Sequence, residues 1–157
     1  STTAILLGKT KLYEFADNNK ELKLRPSWHT HSGDVHLLKN FVSINSALEV
    51  DLTGQVGAEE LNGIPVSAIG GQPDLVRAAH RSDGGHAIIA LPSSAKGGKF
   101  SRIVSKLSGP VTTARSDVDV IVTENGAADL RGKDLDQRRR ALINIAAPDF
   151  QEDLMKS

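Results

Sequence analysis

The chain has 157 residues, of which 39% are hydrophobic and 24% charged, and its nineteen basic side chains balance nineteen acidic ones. That length suffices for one domain with its own core, and the composition fits neither a disordered nor a membranous chain. The neutral balance argues against a general nucleic-acid or membrane-surface binder, and the lack of cysteine excludes disulfides and thiolate catalysis while allowing a reducing cytoplasm.

No apolar run approaches the roughly 20 residues of a membrane span. The chain opens Ser1-Thr2-Thr3 with no methionine and no signal-peptide pattern, and it reads as a fragment of a longer protein. Ala4–Leu7 reads as a strand, Thr10–Asp17 as a short helix with Leu12, Phe15 and Ala16 on one side, and Leu22–Leu24 as a strand ahead of Pro26. Asp34–Leu38 reads as a helical turn. The alternation of Phe41–Glu59, with Ile44, Ala47, Val50, Leu52 and Val56 apolar, predicts a hairpin around Thr53-Gly54.

Val66–Ile69 reads as a strand running into Gly70-Gly71, and Pro73–His80 as a helix with Leu75, Val76 and Ala79 inward. His86–Leu91 is a continuous apolar run of the kind buried on both faces of a parallel sheet. Lys99–Leu107 fits strand or helix equally, and Val118–Thr123 is a strand stopped by Asn125-Gly126. Capping boxes at Asp134-Leu135-Asp136-Gln137 and Asp149-Phe150-Gln151-Glu152 open two last helices, separated by Pro148. Such alternation predicts an α/β layered fold, a mostly parallel central sheet flanked by helices, with ligands at the carboxyl ends of the strands.

Three glycine pairs bound strands. Gly84-Gly85 lies in a polar connection and reads as turn geometry. Gly70-Gly71 lies where a helix begins, and the free N–H groups there favour an anion or a polarised carbonyl. Ala95-Lys96-Gly97-Gly98 puts an ammonium beside exposed amides, which suits a phosphate. Together they point to a phosphorylated, carbonyl-bearing ligand. A generic nucleotide-binding domain is disfavoured because neither phosphate-loop fingerprint is complete.

Longer segments carry a more specific signal. Phe41–Val56, "FVSINSALEVDLTGQV", resembles the signature segment of the acetyl-CoA hydrolase/CoA-transferase family, which includes the 4-hydroxybutyrate and succinyl-CoA:acetate CoA-transferases. "IGGQPDLVRAA", "IIALPSSAKGGKFSRIV", "VTTARSDVDVIVTENGAADLRG" and "ALINIAAPDFQEDL" follow in the family's order. The resemblance runs from about Ala4 onward and corresponds to the C-terminal domain, so residues 1–157 are read as that domain without its N-terminal partner. It implies a CoA-transferase-like fold and a ping-pong reaction in which a glutamate carboxylate attacks an acyl-CoA thioester, becomes an enzyme–CoA thioester, and passes CoA to a small carboxylate or to water. The developing oxyanion then needs aimed donors.

By the same resemblance Gly71 supplies an oxyanion amide, with Gly70 and Gln72 beside it in the substrate site. Lys96 lies near coenzyme A, and His31 occupies a position beside the acyl group that is often asparagine. The family's nucleophilic glutamate lies in a T-E motif with no counterpart before Ala4. Its T-E-Y-G is Thr123-Glu124-Asn125-Gly126 here, and its G-G-Q-V-D-F is matched only in part by Gly71-Gln72-Pro73-Asp74-Leu75. Loss of the aromatic residues is expected to loosen packing near the site, and Pro73 removes one amide from the turn. The resemblance further implies a homodimer in the full-length form, a cytoplasmic setting, and no metal.

Alternatives remain open at four places. Glu124-Asn125-Gly126 also matches three residues of a short motif carrying the nucleophile of another CoA-transferase subfamily, which makes Glu124 an alternative nucleophile. Glu49 and Asp51 could pair as acid and base, against a solvated or ion-paired strand face. His29, His31 and His36 could hold zinc, although without a carboxylate at ordered spacing they are preferred as loop residues lining the acyl pocket. Arg138-Arg139-Arg140 reads as the solvated face of a helix. At the level of the whole chain, a stand-alone, non-catalytic module that binds CoA or acyl-CoA is the alternative to an enzyme domain.

Overall fold

The protein is described here as a computed structural model covering residues 1–31 and 33–157. Ser32, which closes the segment Trp28-His29-Thr30-His31-Ser32, lies outside the described residues. Strand β1 (Thr2–Thr3) pairs in parallel with β2 (Lys23–Leu24) across helix α1 (Thr10–Ala16). The strand thus falls before the apolar run Ala4–Leu7, not on it. The Thr3 hydroxyl donates to the Ile5 carbonyl and accepts from the Ile5 amide, which folds the chain out of extension and leaves Ile5 and Leu7 exposed. Helix α2 (Ser27–Thr30) and a 3-10 turn (Gly33–Leu37) lead into the body of the domain.

The expected hairpin over Phe41–Glu59 divides between two sheets. Strand β3 (Val42–Asn45) joins the central sheet, and only β4 (Glu49–Asp51) and β5 (Val56–Gly57) pair with one another. Gly54 turns between them at φ +92°. Asp51 organises this turn by accepting from the amides of Thr53 and Gln55 and from both of their side chains. It is therefore buried and hydrogen-bonded, not part of a solvated or ion-paired face, while Glu49 accepts from the amide and hydroxyl of Ser108.

A small hairpin, β6 (Glu60–Leu61) with β7 (Ile64–Pro65), turns on Asn62 and Gly63, both at positive φ as a tight two-residue loop requires. Val66–Ile69 is irregular, with the Val66 and Ser67 amides both bonded to the Glu59 carbonyl, so the stretch before Gly70-Gly71 is a loop. Helix α3 (Gln72–Arg81) follows and leads to β8 (His86–Ala90). Next come the hairpin β9 (Ser94–Ala95) with β10 (Phe100–Ser101), then β11 (Ile103–Val104), which resolves Lys99–Leu107 in favour of strand. Strand β12 (Val120–Thr123) turns through Glu124-Asn125 into β13 (Gly126–Asp129), and helices α4 (Leu135–Ile145) and α5 (Pro148–Lys156) close the chain.

The central sheet has the order β13-β12-β8-β3, parallel except for the β12–β13 hairpin, and a second sheet has the order β11-β4-β5. Helix α3 packs on β3 and β8, and α4 on β12 and β13. Their apolar stripes, Val76 and Ala79 on α3 and Leu142 and Ile145 on α4, meet Ala87, Ile89, Ile121 and Ala128 of the sheet in one core. That core continues through Val50, Val56 and Ile103 of the second sheet. Each large side chain removed from water in this way contributes roughly 1.5–3 kcal/mol before ordering costs.

The opposite face of the central sheet corrects the reading of His86–Leu91. Strand β8 alternates, with Ala87 and Ile89 buried and His86, Ile88 and Ala90 only half so, and on β3 Ile44 is 68% exposed. A run apolar on both sides need not be covered on both sides.

Helix α4 starts on the expected capping box, with Gln137 N donating to Asp134 Oδ1 and Asp134 N donating to Gln137 Oε1. Helix α5 does not. Ala147 is its N-cap, and Pro148 in the first turn supplies a preset φ where no N–H is needed, so Asp149 lies inside the helix. The arginine run is also tied down. Arg138 donates to the Arg115 carbonyl, and Arg139 donates to the Leu154 and Met155 carbonyls at the end of α5, leaving Arg140 as the exposed member.

Candidate active site

Strands β3, β8 and β12 are parallel, so their carboxyl ends share one edge of the sheet. Helix α3 runs back between β3 and β8, which returns its N-terminus to that edge. Two contacts fix this direction. At its start Gln72 Nε2 donates to the Ser46 carbonyl (2.7 Å), just past β3, and near its end His80 Nδ1 meets Asp119 Oδ1 (2.7 Å), just before β12. The Gly70-Gly71 turn, the loop after β3, the loop after β8 and the Glu124 turn therefore all lie at the edge where α/β folds bind ligands.

Gly71 is the N-cap of α3, and Gly70 sits at φ +60°, a conformation that favours glycine. Among the described residues no acceptor takes the Gly71 N–H, as expected for one of the four orphan amides of a helix start. A Cβ built on Gly71 would lie 2.0 Å from both Cδ2 and Nε2 of His31. The imidazole edge thus rests on the glycine itself. Two residues forty positions apart, each singled out from sequence, meet at a helix N-terminus.

His31 is held from behind. Its Nδ1 lies 2.9 Å from Thr30 Oγ1 and 3.1 Å from the Ser27 carbonyl, and its own amide donates to that same carbonyl. Beside the turn is an open cleft of about 290 Å³ lined by Ser46, Ala47, Leu48, Ala58, Ser67–Ile69 and Gln72. Its walls are mixed, with Ala47, Leu48, Ala58, Ala68 and Ile69 apolar and Ser46, Ser67 and Gln72 polar. The Gln72 amide is fully engaged by the fold, because its Oε1 also accepts from Thr113 Oγ1. It locks the helix start to both sheets while one side of it faces the cleft.

Lys96 stands apart. Lys96, Gly97 and Gly98 are successive residues at positive φ at the tip of the β9–β10 hairpin, and both glycines face open space. Lys96 Nζ lies 5.5 Å from the centroid of the Phe100 ring. Among the described residues nothing joins this tip to the Gly71 turn.

Glu124 is tethered to a serine that sequence reasoning did not single out. Ser93 N donates to Oε2 (2.8 Å) and Ser93 Oγ to Oε1 (2.6 Å), and these bonds hold the carboxyl below its ordinary value, the side-chain bond contributing most. The serine itself is buried. Its signal in the sequence was only its position just past an apolar strand.

Asn125, which stands where the resemblance has tyrosine, and its neighbour Thr123 both bond the end of α4. The Thr123 hydroxyl donates to the Ile145 carbonyl and the Asn125 amide to the Ala146 carbonyl, capping α4. His29 packs edge-on against Trp28. Among the described residues no three His, Asp or Glu side chains converge as metal ligands.

Residues 8–157 match the acetyl-CoA hydrolase/transferase C-terminal domain. The chain belongs to that family. It is 48% identical to the 4-hydroxybutyrate coenzyme A transferase of Clostridium kluyveri over 96% of its own length and 36% of that protein's. It is 31% identical to the acetyl-CoA hydrolase of Kluyveromyces lactis, across 96% of the chain and 30% of the hydrolase. The structure of RipA from Yersinia pestis superposes with a TM-score of 0.91 at 39% identity, covering 99% of the chain and 36% of RipA. The chain thus spans about a third of the length of the relatives it matches, and family members named for transfer and for hydrolysis share this domain.

Proposed function

We propose that this chain is the CoA-handling domain of an acyl-CoA transferase or hydrolase that moves CoA between small carboxylic acids through a glutamyl-CoA thioester. The observation that carries this reading is the free Gly71 N–H at the ligand-binding edge of the sheet, with the His31 ring packed on the same glycine beside a small cleft of mixed polarity. A thioester carbonyl placed there would present its oxygen to the Gly71 N–H. When a carboxylate oxygen forms its bond to that carbonyl carbon, the charge moving to the carbonyl oxygen meets a donor already in place. The C–S bond then breaks, CoA leaves as its thiolate, and an acyl-carboxylate anhydride remains. The returning thiolate attacks the enzyme's side of this anhydride, releases the first acid and leaves the glutamyl-CoA thioester. The cleft fits a short acyl chain, and the Lys96 tip would meet the phosphates of coenzyme A.

In this reading the attacking glutamate lies outside these residues, in a partner N-terminal domain. The apolar sheet face left open by β3, β8 and β12 supports a partner. Glu124 serves as a strut, because both of its oxygens are engaged by Ser93. The family reading brings with it a homodimer and a cytoplasmic setting, and asks for no metal.

The test is to incubate the natural protein carrying this chain with acyl-CoA, reduce the thioester with borohydride and map the modified peptide. The expected adduct lies on a glutamate outside residues 1–157, with Glu124 unmodified. Labelling of Glu124 would reverse the assignment, and absence of any adduct during turnover would sink the glutamyl-CoA mechanism.

A further inference from the structure

Helix α3 begins without the usual means of holding its first turn. Its N-cap, Gly71, has no side chain to bond the free amides, and Gly70 before it, at φ +60°, has none either. Pro73, next in the helix, has no N–H to contribute. Among the described residues it is the Gln72 side chain whose hydrogen bonds secure this start. Nε2 donates to the Ser46 carbonyl (2.7 Å) and Oε1 accepts from the Thr113 hydroxyl (2.9 Å). A backbone carbonyl only accepts, so the amide nitrogen must face Ser46 and the amide oxygen Thr113. Ser46 lines the cleft, and Thr113 is tied to Val56 of the second sheet through both of its backbone groups. Gln72 and Thr113 are both buried, so bulk water does not compete for the bond between them. The orientation of the Gly71 N–H, one residue away, and the position of the cleft wall thus depend on one side chain.

We propose that Gln72 is a positioning residue for acyl transfer, which aims the Gly71 amide at the acyl oxygen and holds the cleft wall in register with it. This rests on the acyl-transfer reading above. The role needs a donor and an acceptor on one side chain of this length, and glutamine supplies both at every pH. An ionised glutamate would turn two acceptors toward the site and leave the Ser46 carbonyl facing a negative charge. A protonated one has the outline of the amide and restores both bonds, its O–H donating to Ser46 and its C=O accepting from Thr113. Burial raises a carboxyl's pKa, which brings that protonation within about pH 5–8. Methionine fills the same space with neither bond.

The test is kcat for acetyl-CoA turnover by the natural protein and its Gln72→Glu and Gln72→Met variants from about pH 5 to pH 8, well below the Tm of each. Relative to wild type, Gln72→Glu should be slower by about 10- to 100-fold at pH 8 and recover by about tenfold toward pH 5. Gln72→Met should be slower by a similar factor at every pH. The titratable groups on the elements around the site are Asp74 on α3, Asp34 and His36 on the 3-10 turn, His31 against Gly71 and Glu59 beside Thr112. All are common to the three proteins, so the ratios cancel them. A side chain that merely stabilised the fold would lower Tm and leave kcat per folded molecule unchanged. A Gln72→Met kcat within about twofold of wild type, or a Gln72→Glu ratio that stays flat with pH, would overturn the proposal. Thr113→Val, which removes one of the two bonds and adds no charge, gives a second reading: a severalfold fall in kcat supports the role, and a wild-type kcat overturns it. Absence of turnover by the wild-type protein at any pH would instead remove the acyl-transfer reading, and the positioning role with it.

Discussion

The first forty residues and the remaining 117 obey different rules. Among the described residues before Phe41 none is buried, and Ile5, Leu7, Phe15, Trp28, Leu37 and Leu38 are each more than half exposed. From Phe41 onward a continuous core runs from Ala47 to Leu154, and its largest members are fully buried. Yet the loosely packed segment supplies His31, and the packed body supplies Gly71. The candidate acyl site thus joins a rigid partner to one held mainly by backbone and side-chain hydrogen bonds. Local openings draw on the less stable of two such parts, and functional segments commonly lie there.

The contrast can be broken most forcefully in the core. Leu142→Ala removes a fully buried side chain from α4 and should cost about 2–5 kcal/mol. Leu7→Ala, at 77% exposure, should stay within about 0.5 kcal/mol. Urea midpoints of the two variants in the natural protein measure the difference. An equal cost would mean that Leu7 is packed in the natural protein, and the contrast between the regions would dissolve.

A smaller effect sharpens the description of the open sheet face. Asp129 is held at about 2 by hydrogen bonds from the Arg131 guanidinium, with Arg131 Nη1 also 3.0 Å from His86 Nδ1. A carboxyl with a depressed folded value stabilises the fold above its unfolded value, near 4, and loses that contribution as the pH falls toward 2. Both side chains are nearly half exposed, so solvent screening limits the effect to roughly 0.5 kcal/mol. Arg131→Ala should flatten the stability curve by that amount between pH 4 and 2. An unchanged curve would show that the pair contributes nothing.

What could be read in the sequence was what local pattern dictates. Helix α3, the capping box of α4 and strands β8 and β12 fall close to their expected positions, because helical and strand periodicity reflect burial along a single element. Pairing partners could not be read this way. Phe41–Glu59 alternates throughout, and nothing in it says that β3 leaves β4 to join β8. Asp51 and Arg139 looked like solvated charges because their partners, a turn and the end of α5, are set by the tertiary fold.

The candidate site divides in the same way. Gly71 was visible as a glycine ahead of a helix and His31 through the family resemblance, but their contact spans forty residues of sequence. Ser93 could not be assigned until Glu124 was seen to bond it.

The most direct measurement is kcat for CoA transfer or hydrolysis by the natural protein carrying Gly71→Ala. The backbone there, at φ −92°, accepts alanine, while the new methyl group would push the His31 ring off the turn. A fall of about a hundredfold in kcat, from displacing the acyl group and not from loss of the amide, which alanine keeps, is the expected result, with Tm nearly unchanged. A kcat within about twofold of wild type would contradict the placement of the acyl oxygen at the Gly71 turn.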